Sequence, residues 1–444
     1  MYIVTSPGLV TACDRRAKTV SFAPYVVAFA NRILDAGENS LRLLSEDLLE
    51  DKGPVTLRPE TMKAMHQFLR PGESLDHMMP MVVKSSVGLL DKEITGEANV
   101  TVPLFAWVRK LVSVTSTDVF YGSEKNPMRT PGTLDNFWAV DRGFALLGLK
   151  IVPDIIAPAA NRGRNRFFAS FREYYATDGL KSAAQVIHER HGVNTKHGVS
   201  DEDIARFDLG VCTALLVNTV PAVWWVLYHA FSDPSLLHKL RQGIEDVALA
   251  QSKSLNAEGR GTMKTTISIR HLVRAFPLLE SFVKEVLRVH SNSMSARYVL
   301  EDTVIPDGDG AAYLLKKGSL LAMPSAPIHA SSTAWGPNAE DFDPARFLKA
   351  PLQLNGTNRA PASAYRAFGG GNALCPGRHF ATNEIICMLV IVILRYEISP
   401  LQGGWRTPKI RNHVSTSVQT PSEDWEASIK ARDRAECLEW EFTW

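Results

Sequence analysis

Phe368-Gly369-Gly370-Gly371-Asn372-Ala373-Leu374-Cys375-Pro376-Gly377-Arg378-His379-Phe380-Ala381 is a glycine-rich loop that delivers one cysteine to the start of an apolar helix. Glycine lets backbone N–H groups approach a ligand atom closely. Pro376 suits a first helical position, and a helix N-terminus carries positive potential that favours an ionised thiol. Each feature lowers the cost of a buried thiolate, so Cys375 is a candidate metal ligand. A single buried cysteine after a flexible turn is by itself an inert small hydrophobe; the surrounding pattern sets Cys375 apart.

Cys375 is one of five cysteines, with Cys13, Cys212, Cys387 and Cys437. An odd count without a C-x-x-C pair indicates neither a disulfide framework nor a four-thiolate zinc site, and it fits a reducing setting. Downstream, Ile385 to Leu394 is the longest unbroken apolar run at ten residues, short of the roughly 20 that a membrane-spanning helix needs. The start, Met1-Tyr2-Ile3-Val4-Thr5-Ser6-Pro7, has no signal-peptide pattern and reads as a strand entering a turn.

The 444 residues carry 49 basic and 47 acidic side chains, a net charge of +2. That balance argues against a basic stripe, so no nucleic-acid partner is expected. Hydrophobic residues at 45% and charged residues at 22% exclude a disordered, collagen-like or coiled-coil chain. Length alone suggests two or three domains and leaves one large domain open.

Apolar spacing of three and four predicts helices over Ala28–Leu49, Pro59–Leu90, Leu104–Tyr121, Phe137–Ala160 and Asn165–His191, with Gly192–Gly198 as a loop. Ser200 should cap a long helix that runs to about Phe231, where Ser232-Asp233-Pro234 stops it. A polar segment from Ala250 to Thr266 precedes a short amphipathic helix, Leu278–His290. Strand signals are confined to Ala296–Leu300, Tyr313–Leu315 and Leu320–Met323, with Asp307-Gly308-Asp309-Gly310 as a turn. Ser325–Asn372 lacks a sustained period and reads as a long ordered meander.

Two helical positions carry further chemistry. Glu285 and Arg288, three apart, share a helix face and can form a charge-assisted pair. Within Leu215-Leu216-Val217-Asn218-Thr219-Val220-Pro221-Ala222, Pro221 has no N–H for the carbonyl of Val217, so the helix should open there into a polar groove.

The cysteine segment resembles the haem-binding signature of the cytochrome P450 superfamily, F-x-x-G-x-x-x-C-x-G-x-x-x-A, matched at Phe368, Gly371, Cys375, Gly377 and Ala381. The likeness extends from Met1 to about Leu438. It implies a mainly α fold with small β sheets, one P450 domain over residues 1–444, and haem b between a long distal helix and the cysteine loop, with Cys375 on iron. Where the family has a basic residue two positions before the cysteine, this chain has Ala373, so one propionate contact must come from elsewhere; Arg297 sits where the family places another. The family's early tryptophan-x-x-x-arginine is missing too, and His66 or Arg70 could stand in. Phe342-Asp343-Pro344-Ala345-Arg346-Phe347 is similar to the F-x-P-x-R-F element, which would join Arg346 to Glu285 and Arg288, and the stretch around Trp335-Gly336-Pro337 is similar to its lead-in.

The opened groove would hold dioxygen and water, with Thr219 at the family's threonine and Asn218 where an acid is usual. An amide relays hydrogen bonds but supplies no ionisable proton. This arrangement looks like the sterol 7-alpha-hydroxylase branch and, with less fidelity, prostacyclin synthase. The resemblance therefore implies a haem-thiolate monooxygenase that inserts one atom of O2 into an apolar sterol-, terpenoid- or polyketide-like molecule. No G-x-G-x-x-G nucleotide fingerprint follows a strand, so electrons should come from a separate NADPH-cytochrome P450 reductase. A reductase-independent isomerase or dehydratase, and a non-catalytic haem protein, stay open. By the same resemblance the chain is expected to lack the membrane anchor, proline-rich hinge and first helix of a eukaryotic member, and the full-length form is expected on the cytosolic face of the endoplasmic reticulum membrane.

Overall fold

The computed structural model describes residues 1–46, 48, 56–94, 99–257, 265–307, 310–348, 362–411, 413–432 and 440–444. Gly308 and Asp309 at the centre of the expected turn, Cys437, residues 258–264 of the polar segment and 349–361 of the meander lie outside them.

The centre of the molecule is the helix Arg378–Arg395, whose residues 385–394 are all fully buried. A helix apolar on every side shows no amphipathic period because it is packed on every side. Around it lie the helices Glu73–Glu93, Thr219–Ser232 and Leu278–His290. One hydrophobic cluster extends from Ala30 to Ile429, and a smaller one joins the first helix, Pro7–Asp14, to the small sheets near Val299 and Leu321.

The helices Leu104–Tyr121 and Leu278–His290 begin and end where the apolar spacing puts them. Elsewhere the punctuation cuts deeper. The stretch 28–49 divides into Ala23–Arg32 and Glu38–Ser45, and 59–90 divides at Arg70-Pro71-Gly72 into Leu57–Leu69 and Glu73–Glu93. The expected loop 192–198 is instead largely helical: Gln185–Lys196 continues through Gly192, because Val193 and Asn194 are buried against the core. The helix after Asp233 runs on to Ala257, into the segment read as polar linker.

The strands pair in small sheets. Tyr2–Ile3 lies parallel to Leu320–Ala322, which pairs antiparallel with Arg297–Val299, and that strand with Val20–Ser21. Val100–Pro103, Glu426–Ala431 and Tyr396–Pro400 form an antiparallel sheet that sequence reading missed, its strands being as short as four residues. Ile410–Arg411 pairs with Thr420–Pro421 in a hairpin, and Trp440–Thr443 with Thr265–Ser268.

The long helix breaks as Pro221 requires. Asp201–Leu216 begins at Ser200, whose hydroxyl accepts from the N–H of Asp203, and Thr219–Ser232 follows after Val217 and Asn218. The ladder runs up to Val217 N–H, which donates to Thr213 O at 3.3 Å, and resumes at Ala222 N–H, which donates to Asn218 O at 3.1 Å, so the carbonyl of Val217 that proline cannot serve lies within the break. Residues 201–232 together are long and apolar enough to cross a membrane, a stretch that unbroken apolar runs overlook because Asn218 and other polar residues interrupt it, yet most of it is buried inside the protein.

Candidate functional site

The cysteine loop is fixed by its own backbone. Cys375 N–H donates to Phe368 O at 3.0 Å, and Arg378 Nη1 donates to Cys375 O at 3.0 Å. Gly371 has a φ of 61°, and a Cβ there would meet Asp14 Oδ1 at 2.8 Å, so both backbone and space demand glycine. Gly377, rather than Pro376, borders the helix Arg378–Arg395; Pro376 belongs to the turn before it.

Burial pushes the Cys375 thiol above its ordinary pKa, while N–H groups of Gly377 and Arg378 directed at sulfur, and the Arg378 charge, pull it down. Burial wins, so the helix terminus alone does not ionise this thiol; a cation at sulfur must supply the remainder. Although the loop lies deep in the chain's topology, Phe368, Ala373, Leu374 and Cys375 stay half-buried.

Beside the loop are two guanidinium groups. Arg297 Nη2 donates to Gly370 O at 3.2 Å and lies 3.9 Å from Asp14 Oδ1, while Arg366 Nη1 donates to Asp14 Oδ2 at 2.8 Å. Both arginines are buried, at 3% and 1% exposure, and they share a single carboxylate. Arg366 Nε and Nη2 and Asp14 Oδ1 have no hydrogen-bond partner. An excess buried positive charge with unused donors fits a second anion. The residues thus suit a large, partly apolar, anionic group bound through sulfur, such as haem. Sequence reading missed Arg366 and Asp14. The signal was present, an arginine two places before Phe368, but its partner lies 352 residues away.

The meander network forms as expected. Arg288 Nε and Nη2 each sit 2.8 Å from Glu285, and Arg346 Nε lies 3.0 and 3.1 Å from the two Glu285 oxygens. The Arg288 guanidinium also donates to the carbonyls of His329, Ala339 and Asp341. His329 carries the network onward, its Nε2 accepting from the N–H of Arg366 at 2.8 Å. That role needs an unprotonated ring, and burial lowers the His329 pKa to about 4.

On the other side, the broken helix packs against Arg378–Arg395. Thr219 is buried at 6% exposure, whereas Ala214 is exposed and Thr213, Leu215 and Asn218 half-buried, leaving an uncovered patch beside the break. Asn218 is committed: its Oδ1 accepts from the N–H of Ser417 at 2.6 Å, tying the loop after Ile410–Arg411 to the break. His66 lies half-buried within Leu57–Leu69 and Arg70 is exposed.

Comparison with known proteins agrees with this arrangement. The Cytochrome P450 family profile matches residues 165–425, more than half of the chain. A cytochrome P450 monooxygenase, nodJ, of Hypoxylon pulicicidum is 28% identical over 100% of this chain and 83% of its own length. Another, from Gibberella zeae, is 27% identical over 97% of this chain and 79% of its own. Cholesterol 7-alpha-monooxygenase of Cricetulus griseus is 25% identical over 52% of this chain and 46% of its own. A retinoic acid bound cyanobacterial CYP120A1 superposes with a TM-score of 0.70 at 16% identity, covering 97% of this chain and 89% of that one. The matched segment includes the helix break, the Glu285 network and the cysteine loop, and the chain belongs to the cytochrome P450 family as a haem-dependent monooxygenase acting on a small molecule with O2 and a redox partner.

Proposed function

We propose that this chain, as one domain over residues 1–444, inserts one atom of O2 into an apolar sterol-, terpenoid- or polyketide-like molecule, with electrons from a separate NADPH-cytochrome P450 reductase. Cys375 Sγ would bind the haem iron, Phe368, Gly371 and Gly377 would shape the loop against the ring, and Arg297 with Arg366 would hold the propionates. The observation that carries this reading is the cysteine loop itself, with sulfur facing two backbone N–H groups beside buried guanidinium nitrogens that lack a partner. Haem, when bound, supplies the one-electron and O2 chemistry. The Thr219 hydroxyl can both donate and accept, which suits it to pass protons across the break, and Asn218 holds the Ser417 loop over the same place. The sterol substrate named for the hamster relative supports an apolar substrate. The resemblance also supports a full-length form on the cytosolic face of the endoplasmic reticulum membrane.

The test is product formed per NADPH consumed, with reductase and a panel of apolar substrates, for the native chain and Thr219→Ala. Thr219→Ala should bind substrate normally and divert electrons into hydrogen peroxide. Equal coupling in both would remove Thr219 from proton delivery, and product formed without NADPH would reassign the chain as an isomerase.

A further inference from the structure

Asn218 stands where the family has an acid, and the groups packed behind the break include an ionisable one. A cavity of about 210 Å3 is walled by Val217, Val220 and Pro221 of the break, by the helices Leu104–Tyr121 and Thr133–Arg142, and by the hairpin Ile410–Arg411 with Thr420–Pro421. Four buried polar atoms in or beside it have no hydrogen-bond partner: Arg109 Nε, Trp138 Nε1, Asp141 Oδ1 and Ser415 Oγ. Such a concentration of unused donors and acceptors around a space of this size suits water, about 30 Å3 of liquid volume each.

Three acids line the cavity, and two are occupied. Asp424 accepts from the N–H groups of Phe105 and Ala106 at 2.6 and 2.9 Å, capping the helix that starts at Leu104, and Glu423 pairs with Lys409 and Arg406. Asp141 alone of the three keeps an oxygen unpartnered. Ser415 lies against its carboxyl, although the two unpartnered oxygens are not joined by a hydrogen bond of full geometry. Two residues on, Ser417 is bonded to Asn218, so one short loop connects Asp141 to the break.

We propose that Asp141 is the proton donor of this oxygenase, passing protons through the Ser415 hydroxyl and water in the cavity to Thr219, while the bond from Ser417 N–H to the Asn218 amide holds the loop against the break. The proposal deepens the monooxygenase reading and rests on it. Burial raises the Asp141 carboxyl above the ordinary aspartate range, against the pull of Ser415, His413, Arg109 and Arg142; Arg411, Glu423 and Asp424 complete the charged groups facing the cavity. The balance is that of RH + O2 + NADPH + H⁺ giving ROH + H2O + NADP⁺. The electron pair comes from NADPH through the redox partner, two protons end in the water formed, and Asp141 gives up a proton inward and regains one from solvent.

The experiment uses the haem-loaded chain with reductase and a substrate that it turns over. Asp141→Asn should keep the substrate-binding spectrum, lower product per NADPH at least tenfold with matching peroxide, and enlarge the solvent deuterium effect on turnover. In the native chain coupling should fall as pH rises and Asp141 ionises, and Asp141→Asn should lack that limb. Adding Asn218→Asp to Asp141→Asn should restore coupling, since it returns an acid to the break. If Asp141→Asn does not fold, Ser415→Ala carries the same test in the same direction. Independently of turnover, infrared difference spectra should show a protonated carboxyl band, lost in Asp141→Asn, that persists above the pH at which exposed aspartates ionise. Native coupling and an unchanged isotope effect in Asp141→Asn or Ser415→Ala, or a carboxyl that titrates as an exposed aspartate, would overturn the proposal. Failure of the native chain to form product would fail the monooxygenase reading itself, while the infrared titration would still decide the protonation of Asp141.

Discussion

Burial and the helix terminus pull the Cys375 thiol in opposite directions, and burial is the stronger. A ligand sulfur of this kind should therefore be ionised only when a metal cation takes up its charge. Cys375→Ala should abolish the reduced carbon monoxide complex that marks thiolate-ligated haem, because Cys13, Cys212 and Cys387 are buried within helices and lie on no such loop; an unchanged spectrum would exclude Cys375 as the ligand. Arg366 makes a complementary case. Its Nε and Nη2 are buried and unpaired, and it is paired with Asp14 only through Nη1. Arg366→Gln should speed the transfer of haem to an acceptor protein by roughly tenfold or more, since one charge-assisted contact contributes about 1.5–3 kcal/mol. Haem transfer at the native rate would place the propionates on other residues.

At the scale of elements, the broken helix and the meander show what could be read from sequence and what could not. Pro221 located the break because the cause is local: a missing N–H and one carbonyl four residues earlier. Glu285 and Arg288 were legible because three residues along a helix set their geometry. The bond from Ser417 to Asn218 spans 199 positions, and the pairing of Arg366 with Asp14 spans 352; no periodicity carries such contacts. Short strands such as Ile410–Arg411 were missed for the same reason, their partners rather than their composition making them strands. The meander network holds distant pieces together. Glu285 and Arg288 are 0% and 2% exposed, so Arg288→Ala leaves a buried carboxylate with Arg346 as its remaining cation and frees the carbonyls of His329 and Ala339, Asp341 O keeping Arg346 Nη2. The cost should be roughly 3–5 kcal/mol, seen as lost folded protein and haem content before any change in product. Normal haem occupancy with an altered product pattern would contradict a structural role.

Over the whole molecule, buried titratable groups set how stability depends on pH. His229 and His329 are held neutral by burial with pKa values of about 4, against an ordinary value of 6.5. An unfolded chain takes up protons on both as pH falls below 6.5 and the folded chain does not, so their contribution is present above 6.5 and is lost between 6.5 and 4. Glu384 acts in the opposite sense. It is buried in the central helix with Ser116 as its hydrogen-bond partner at 2.8 Å, and burial raises its pKa to about 8 from an ordinary 4.5. The folded chain keeps that proton where the unfolded chain has lost it, so this contribution is present below 4.5 and is lost as pH rises toward 8. Between 4.5 and 6.5 the two histidines outweigh the one carboxyl, and above 6.5 Glu384 acts alone, so these three groups together favour a stability maximum near pH 6.5. Each unit of pH is worth about 1.4 kcal/mol per proton in the steepest part. Glu384→Gln keeps a neutral polar group at the same place and should flatten the alkaline limb, making the variant gain on the native chain as pH rises from 6.5 to 8, while leaving the acid limb set by the histidines. Denaturant midpoints at pH 5, 6.5 and 8 measure this directly; parallel alkaline limbs in the two proteins would show that Glu384 is ionised in the fold, with a second partner for its Oε2.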